Sequence, residues 1–161
     1  MNRQDIQQKV ESVVLESYEE MYRLAYSYVR NEQDAMDIVQ ESVYKCIRHA
    51  GKIKQEAYIH TWVWRVVINT ALDFKRMRAR EQAWDSWEEI SFVQAEQEYD
   101  VIDALGILKE RERTMLILYY FDGFKLEEIA EMMEMNISTI KSTLYRSLKK
   151  LRVEMAEGGT V

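Results

Sequence analysis

The chain has 161 residues, 47% of them hydrophobic, with no proline, five glycines, a single cysteine and a formal charge of −6. That composition supports the core of one domain or two small ones, points to an almost wholly helical protein, and leaves no partner for Cys46 in an internal disulfide. With no apolar run of about 18 residues to span a membrane, and no apolar core or cleavage site in MNRQDIQQKVESVV, the expected location is the cytoplasm, where a lone thiol stays reduced.

In chain order, an aromatic and aliphatic stripe that includes Tyr18, Met21, Tyr22, Leu24, Ala25 and Tyr28 predicts one helix over about residues 4–30, interrupted by Asn31. A second helix, about 33–49, would bury Ala35, Ile38, Val39, Val43, Cys46 and Ile47 and show Asp34, Asp37, Gln40, Glu41 and Lys45 on its other side. A polar loop, Gly51 to Ala57, carries Lys52 and Lys54. A third helix, about 58–80, has Val63, Val66, Val67, Thr70 and Phe74 as core positions, with Trp62, Arg65, Asn69, Asp73 and Arg76 at steps of three and four beside them. Residues 81–100 hold seven acidic and no basic groups, which makes an extended acidic linker in which Trp84, Trp87, Ile90 and Phe92 dock partly on a neighbouring body. Further helices follow over about 101–108 and 110–121, and Asp122–Gly123 marks a turn. The reading is all-α: two small helical domains, 1–80 and 101–161, joined by the linker 81–100.

The segment LEEIAEMMEMNISTIKSTLYRSLKKL carries the clearest signal. It reads as two short helices around a tight turn, with Asn136 as N-cap of the second. Ile137, Ile140, Leu144, Leu148 and Leu151 form one apolar stripe. Ser138, Lys141, Ser142, Tyr145, Arg146 and Lys149 form an opposed basic and hydroxyl-rich face suited to base edges and phosphates in a major groove. The plain alternative is a solvated helical hairpin. Charge distribution matters more than its sum: residues 1–80 carry 13 basic and 11 acidic groups, and 101–161 carry nine and ten. A free chain so charged should bind DNA weakly, so a DNA role needs a larger partner.

Other constellations divide between function and scaffold. Asp37, Gln40 and Glu41 suit either a solvated face or a docking surface for a basic partner; without His or Cys beside them they make no metal site. The helix from Trp62 ends in Lys75, Arg76, Arg78 and Arg80, and rings interleaved with cations suit single-stranded DNA. A Trp in a helical body is more often core, which is the competing role for Trp62; Trp64 fits either. His49 and His60 have no catalytic partner, and the loop before Tyr58 separates Glu56 from His60. No Ser–His–Asp order, Gly-rich phosphate loop or CxxC pair appears, so no enzyme, cofactor or small-molecule substrate is indicated.

Three of these segments together resemble the extracytoplasmic-function (ECF, group IV) sigma factors of bacterial RNA polymerase, over about residues 18–155. MYRLAYSYVRNEQDAMDIVQESVYK is similar to the start of the sigma-2 domain, WVWRVVINTALDFKRMR to its promoter-melting helix, and LYYFDGFKLEEIAEMMEMNISTIKSTLYRSLKKLR to the sigma-4 helix-turn-helix. The resemblance implies a subunit that binds core polymerase and directs promoter-specific initiation, with envelope stress the commonest theme. Asp34, Asp37, Gln40 and Glu41 would grip the β′ coiled coil, and sigma-4 would sit on the β flap. Ser138, Lys141, Ser142, Tyr145, Arg146 and Lys149 would meet the −35 element. Lys52, Lys54, Trp62, Arg65, Asn69, Asp73, Lys75 and Arg76 would capture the melted −10 strand, one base being flipped into a pocket. The linker would thread a channel that otherwise holds RNA, and an anti-sigma factor, often membrane-bound, would block the polymerase-binding surfaces. Lys109 stands where the family has a Leu-Pro end, Lys125 where a Ser or Thr cap is usual, and Thr143 where an Arg is common, a change expected to remove a cation near the −35 phosphates. No long C-terminal extension is seen, so regulation through an added domain is not expected. The competing reading is a stand-alone helix-turn-helix regulator that reads a palindrome as a dimer; a helical interaction protein without DNA contact leaves the Ser142, Tyr145 and Arg146 face unexplained.

Overall fold

A computed structural model gives the fold of residues 2–84 and 100–158, with side chains described over 2–81 and 102–154. Every regular element among them is helical, and the chain divides into two compact units, Met1–Gln97 and Glu98–Val161.

In the first unit the Asn2 side chain accepts from the Asp5 amide at 2.9 Å and opens α1, Arg3–Glu16. The single helix expected over residues 4–30 is two: α1 stops at Ser17, and α2 runs from Tyr18 to Val29. The break is hidden in the sequence because the apolar steps stay in phase through it, Ile6, Val10, Val13, Val14 and then Met21, Leu24 and Ala25 all being buried. Serine, a poor helix interior residue and a good helix start, takes the one non-helical position. Arg30 then adopts the left-handed conformation at φ 55°, donating its N–H to the Tyr26 carbonyl at 2.7 Å. Asn31 caps α3, Glu32–Arg48, by accepting from the Asp34 amide at 3.0 Å.

After α3 the chain makes two short 3₁₀ turns, Ala50–Lys52 and Glu56–Tyr58, before α4, Ile59–Trp84. Helices α2, α3 and α4 pack on one another, and α1 lies against α3, α4 and the first of these turns. Tyr26, Ile38, Val39, Cys46, Val63 and Val67 are fully enclosed between them. Burial pushes the Cys46 thiol up to about 12, which leaves it a small core residue without reactive thiolate. Ile47, expected inside, is exposed, and Val43 only half-buried. Tyr18 is exposed too and donates its hydroxyl to Met36 Sδ at 2.9 Å.

Helix α4 continues to Trp84, past the expected domain end, while the docking expected of Trp84, Trp87, Ile90 and Phe92 lies outside the described side chains. The second unit starts with α5, Asp100–Ala104, and a 3₁₀ turn, Leu105–Ile107. Next come α6, Glu110–Leu116, widening into a π-turn at Ile117–Phe121, then α7, Leu126–Met133, and α8, Ile137–Gly158. Gly123 supplies the left-handed turn between the π-turn and α7 at φ 72°. The two unusual lysines are half-capped. Glu112 accepts from the Lys109 amide at 3.0 Å and Glu128 from the Lys125 amide at 2.9 Å, the glutamate half of a capping box whose other half a lysine cannot provide.

Candidate nucleic-acid interface

Helices α7 and α8 are joined by the tight turn Glu134–Asn136, with Glu134 left-handed at φ 54° and the Met135 amide bound to the Ala130 carbonyl at 2.9 Å. The Asn136 carbonyl takes the first bond of α8 from Ile140 at 3.0 Å. Ile140 and Leu144 seat the helix on α6 and α7. Two hydroxyl residues belong to that inner face as well. Ser147, fully buried, donates to the Thr143 carbonyl at 2.7 Å or to Glu112 Oε2 at 3.0 Å, which ties α8 to the carboxylate that caps α6. Thr143 is 8% exposed. The expectation that it costs a phosphate-facing cation is therefore overturned: position 143 points into the unit, and Arg146 Nη2 lies 3.4 Å from its hydroxyl. Ile137, counted in the apolar stripe, is exposed at the helix start.

All six residues expected on the outer face are exposed: Ser138, Lys141, Ser142, Tyr145, Arg146 and Lys149. Tyr145, the one aromatic residue in the α8 sequence, is 71% exposed. From Ser138 to Lys149 the face extends about 16 Å at the helical rise, close to five base steps. Arg146 is held loosely, its Nε and Nη2 donating at 3.4 Å to the Ser142 carbonyl and the Thr143 hydroxyl.

In the first unit, Trp62, Arg65, Asn69, Asp73 and Arg76 share the side of α4 opposite its buried residues Val63, Val67 and Ala71. Trp62 is half-buried, with part of its ring available, whereas Trp64 is core. Asp73 pairs with Arg76 at 3.1 Å, which offsets a carboxylate that would otherwise repel phosphate. Lys75 is out of phase with the set: two residues beyond Asp73, it falls about 200° around the helix. Lys52 and Lys54 are exposed on the loop before α4, on either side of Ile53, which is buried. Glu56 pairs with Lys9 of α1 at 2.6 Å.

Helix α3 presents Asp37, Gln40 and Glu41 to solvent, Asp37 receiving a 3.4 Å bond from Gln33. Asp34, expected on this outer face, is turned inward. It is 8% exposed, its carboxylate bound by Arg78 Nη2 of α4 at 2.8 Å and by the Asn31 side-chain Nδ2 at 3.0 Å, so it locks α3 to α4 instead of facing outward. Lys45 turns inward too, donating to Thr70 at 3.2 Å. The exposed stripe runs on through Tyr44 and Arg48, linked hydroxyl to guanidinium at 2.7 Å, with Ile47 beside them. Steps of three and four from Glu41 reach Tyr44 and Arg48, a signal the sequence reading passed over. The second unit has its own exposed aromatic group, Tyr119, Tyr120 and Phe121 on the π-turn.

The model of Sigma-70 region 2 matches residues 13–81, and that of Sigma-70 region 4 matches residues 99–151. The RNA polymerase sigma factor SigV of Bacillus subtilis (strain 168) is 38% identical over 144 residues, 86% of each chain. The chain belongs to the sigma-70 family, as an ECF sigma factor. The ECF RNA polymerase sigma factor SigW of the same organism is 23% identical over 160 residues, covering 86% of this chain and 84% of SigW. Among solved structures, the sigma factor RpoE in complex with the anti-sigma factor NepR from Bartonella quintana has the same fold, with a TM-score of 0.78 at 24% identity over 94% of this chain and 97% of that one.

Proposed function

We propose that this sigma factor binds core RNA polymerase through α3 and brings two separate DNA-reading helices to one promoter. The carrying observation is that one chain holds both a region 2 body with an exposed acidic stripe and a region 4 helix-turn-helix with an exposed basic one. A stand-alone regulator needs only the second, so it is not favoured.

Asp37, Gln40 and Glu41, extended by Tyr44 and Arg48, meet a basic helical surface, the β′ coiled coil. The outer face of α8 reads the −35 element: Arg146 and Lys141 supply charged donors, Ser138 and Ser142 short hydroxyls, and Tyr145 a ring. The α4 stripe with Lys52 and Lys54 holds the separated −10 strand, Trp62 stacking and the cations neutralising phosphates. The aromatic group Tyr119–Phe121 is the surface for the β flap. An anti-sigma factor of the kind bound to RpoE covers the docking surfaces until released, in a cytoplasmic stress response.

The test is to mix the purified chain with bacterial core polymerase and run gel filtration, then run-off transcription on a promoter library. One-to-one co-elution and transcription confined to a two-element promoter class support the reading. A chain that elutes alone as a dimer and still shifts DNA would replace it with the regulator.

A further inference from the structure

The loop between α3 and α4 is held from outside by the N-terminal helix. Turn bonds close its two ends, from the Lys52 amide to the His49 carbonyl at 3.0 Å and from the Tyr58 amide to the Gln55 carbonyl at 3.1 Å. Ile53 anchors its middle in the core. Lys52, Lys54 and Gln55 stay exposed, so what remains to be set is where that exposed edge sits. Two side chains of α1 reach it. Lys9 Nζ lies 2.6 Å from Glu56 Oε2, and the Arg3 guanidinium covers Gly51 closely enough that a Cβ there would come within 3.1 Å of its Nε. Both ends of the basic segment are thus touched by one helix, at positions six residues apart.

We infer that α1 is a positioning element for −10 recognition, with Lys9 and Arg3 fixing the loop that presents Lys52 and Lys54 to the melted strand. The inference rests on the −10 assignment above. Stability is a poor reason for the pair. Its side chains are 41% and 54% exposed, and ion pairs that open to water add little to folding. Placement is a better one, because recognition of an unstacked base depends on sub-ångström geometry of the groups around it. Neither Lys9 nor Arg3 needs to touch DNA. Each acts through Glu56 or Gly51.

The experiment uses the full chain in holoenzyme, with Lys9→Glu, Glu56→Lys and the double exchange, each tested on promoters varied base by base at −10 and, separately, at −35. Each single reversal sets like charges against each other. It should compress the ratio of transcription from matched over mismatched −10 bases by about two- to fivefold, leaving the −35 ratio and the melting temperature unchanged. The double exchange should restore the −10 ratio. A −10 ratio unmoved by the singles, or not restored by the double, overturns the inference. A Lys52→Ala/Lys54→Ala variant separates the two levels of the argument. If it changes the −10 ratio and the Lys9 and Glu56 variants do not, only the role of α1 is lost. If it lowers neither the −10 ratio nor transcription from every −10 sequence alike, the loop assignment itself falls.

Discussion

Replacing Arg146 by Ala isolates recognition from folding. The guanidinium is exposed and its two contacts within α8 are 3.4 Å long, at the weak end of hydrogen bonding. Losing them should cost less than about 0.5 kcal/mol, typical of surface positions. No buried partner is orphaned, because the Ser142 carbonyl keeps its place in the helix and the Thr143 hydroxyl can turn to a carbonyl of the preceding turn. If the same side chain reads a base edge in the promoter complex as a bidentate donor, as proposed, loss of that contact is worth about 1–3 kcal/mol. That is roughly a 5- to 150-fold drop in transcription from the matched promoter. The assay is run-off transcription by holoenzyme across single-base −35 variants, with core affinity and thermal melting measured alongside. Arg146→Ala should flatten the preference at one or two adjacent positions and leave the others, the core affinity and the melting temperature as they were. A uniform loss over all −35 sequences would reduce Arg146 to a phosphate contact, and a fall in melting temperature of several degrees would make it structural.

Asp37→Arg combined with Glu41→Arg reverses two exposed charges one turn apart on α3, so gel filtration with core polymerase should show no complex while circular dichroism stays native; retained binding would remove α3 from the docking surface. Arg78→Ala should act the other way round. It strips the 2.8 Å partner from a carboxylate that is 12% exposed, at a cost of about 1–3 kcal/mol, the guanidinium's own exposure keeping the figure below that of a fully buried pair. A denaturant midpoint equal to wild type would show the pair to be idle. Cys46, with its thiol pushed up to about 12 by burial, should resist alkylation at pH 8 in the folded chain and react fully in denaturant; rapid labelling of native protein would contradict its place in the core.

What the sequence conveyed was governed by periodicity. The stripes of α3, α4 and α8 could be located because a step of three or four sorts residues into faces without reference to anything distant. The same rule failed where a side chain's role depends on another element. Asp34 is in phase with an acidic face, yet Arg78, 44 residues away, draws it inward. Ser147 and Thr143 sit among polar neighbours, yet Glu112 of α6 and the tight packing of α8 make them interior. Ser17 breaks a helix without disturbing its phase. Lys75 shows two signals in conflict: its charge and its place in a basic run suggest the −10 set, while helical phase sets it apart from Trp62 and Asn69.

If both bodies read DNA as proposed, the distribution of charge explains why they belong in one chain. Each outer face offers only a few cations: Lys141, Arg146, Lys149 and Arg152 on α8 with Lys150 at its flank, and Lys52, Lys54, Arg65 and Arg76 about α4. A handful of phosphate contacts gives weak and salt-sensitive binding, and a net charge of −6 weakens it further by long-range repulsion. That weakness has a use, because a free sigma factor that held DNA firmly would occupy promoters without polymerase. Once core polymerase fixes both bodies, the second contact forms at the high effective concentration set by the first, and two weak affinities multiply. Specificity then resides in the spacing of two elements as much as in the bases of either. On the proposed docking role, the acidic stripe of α3 makes polymerase binding the first step and so gates promoter recognition.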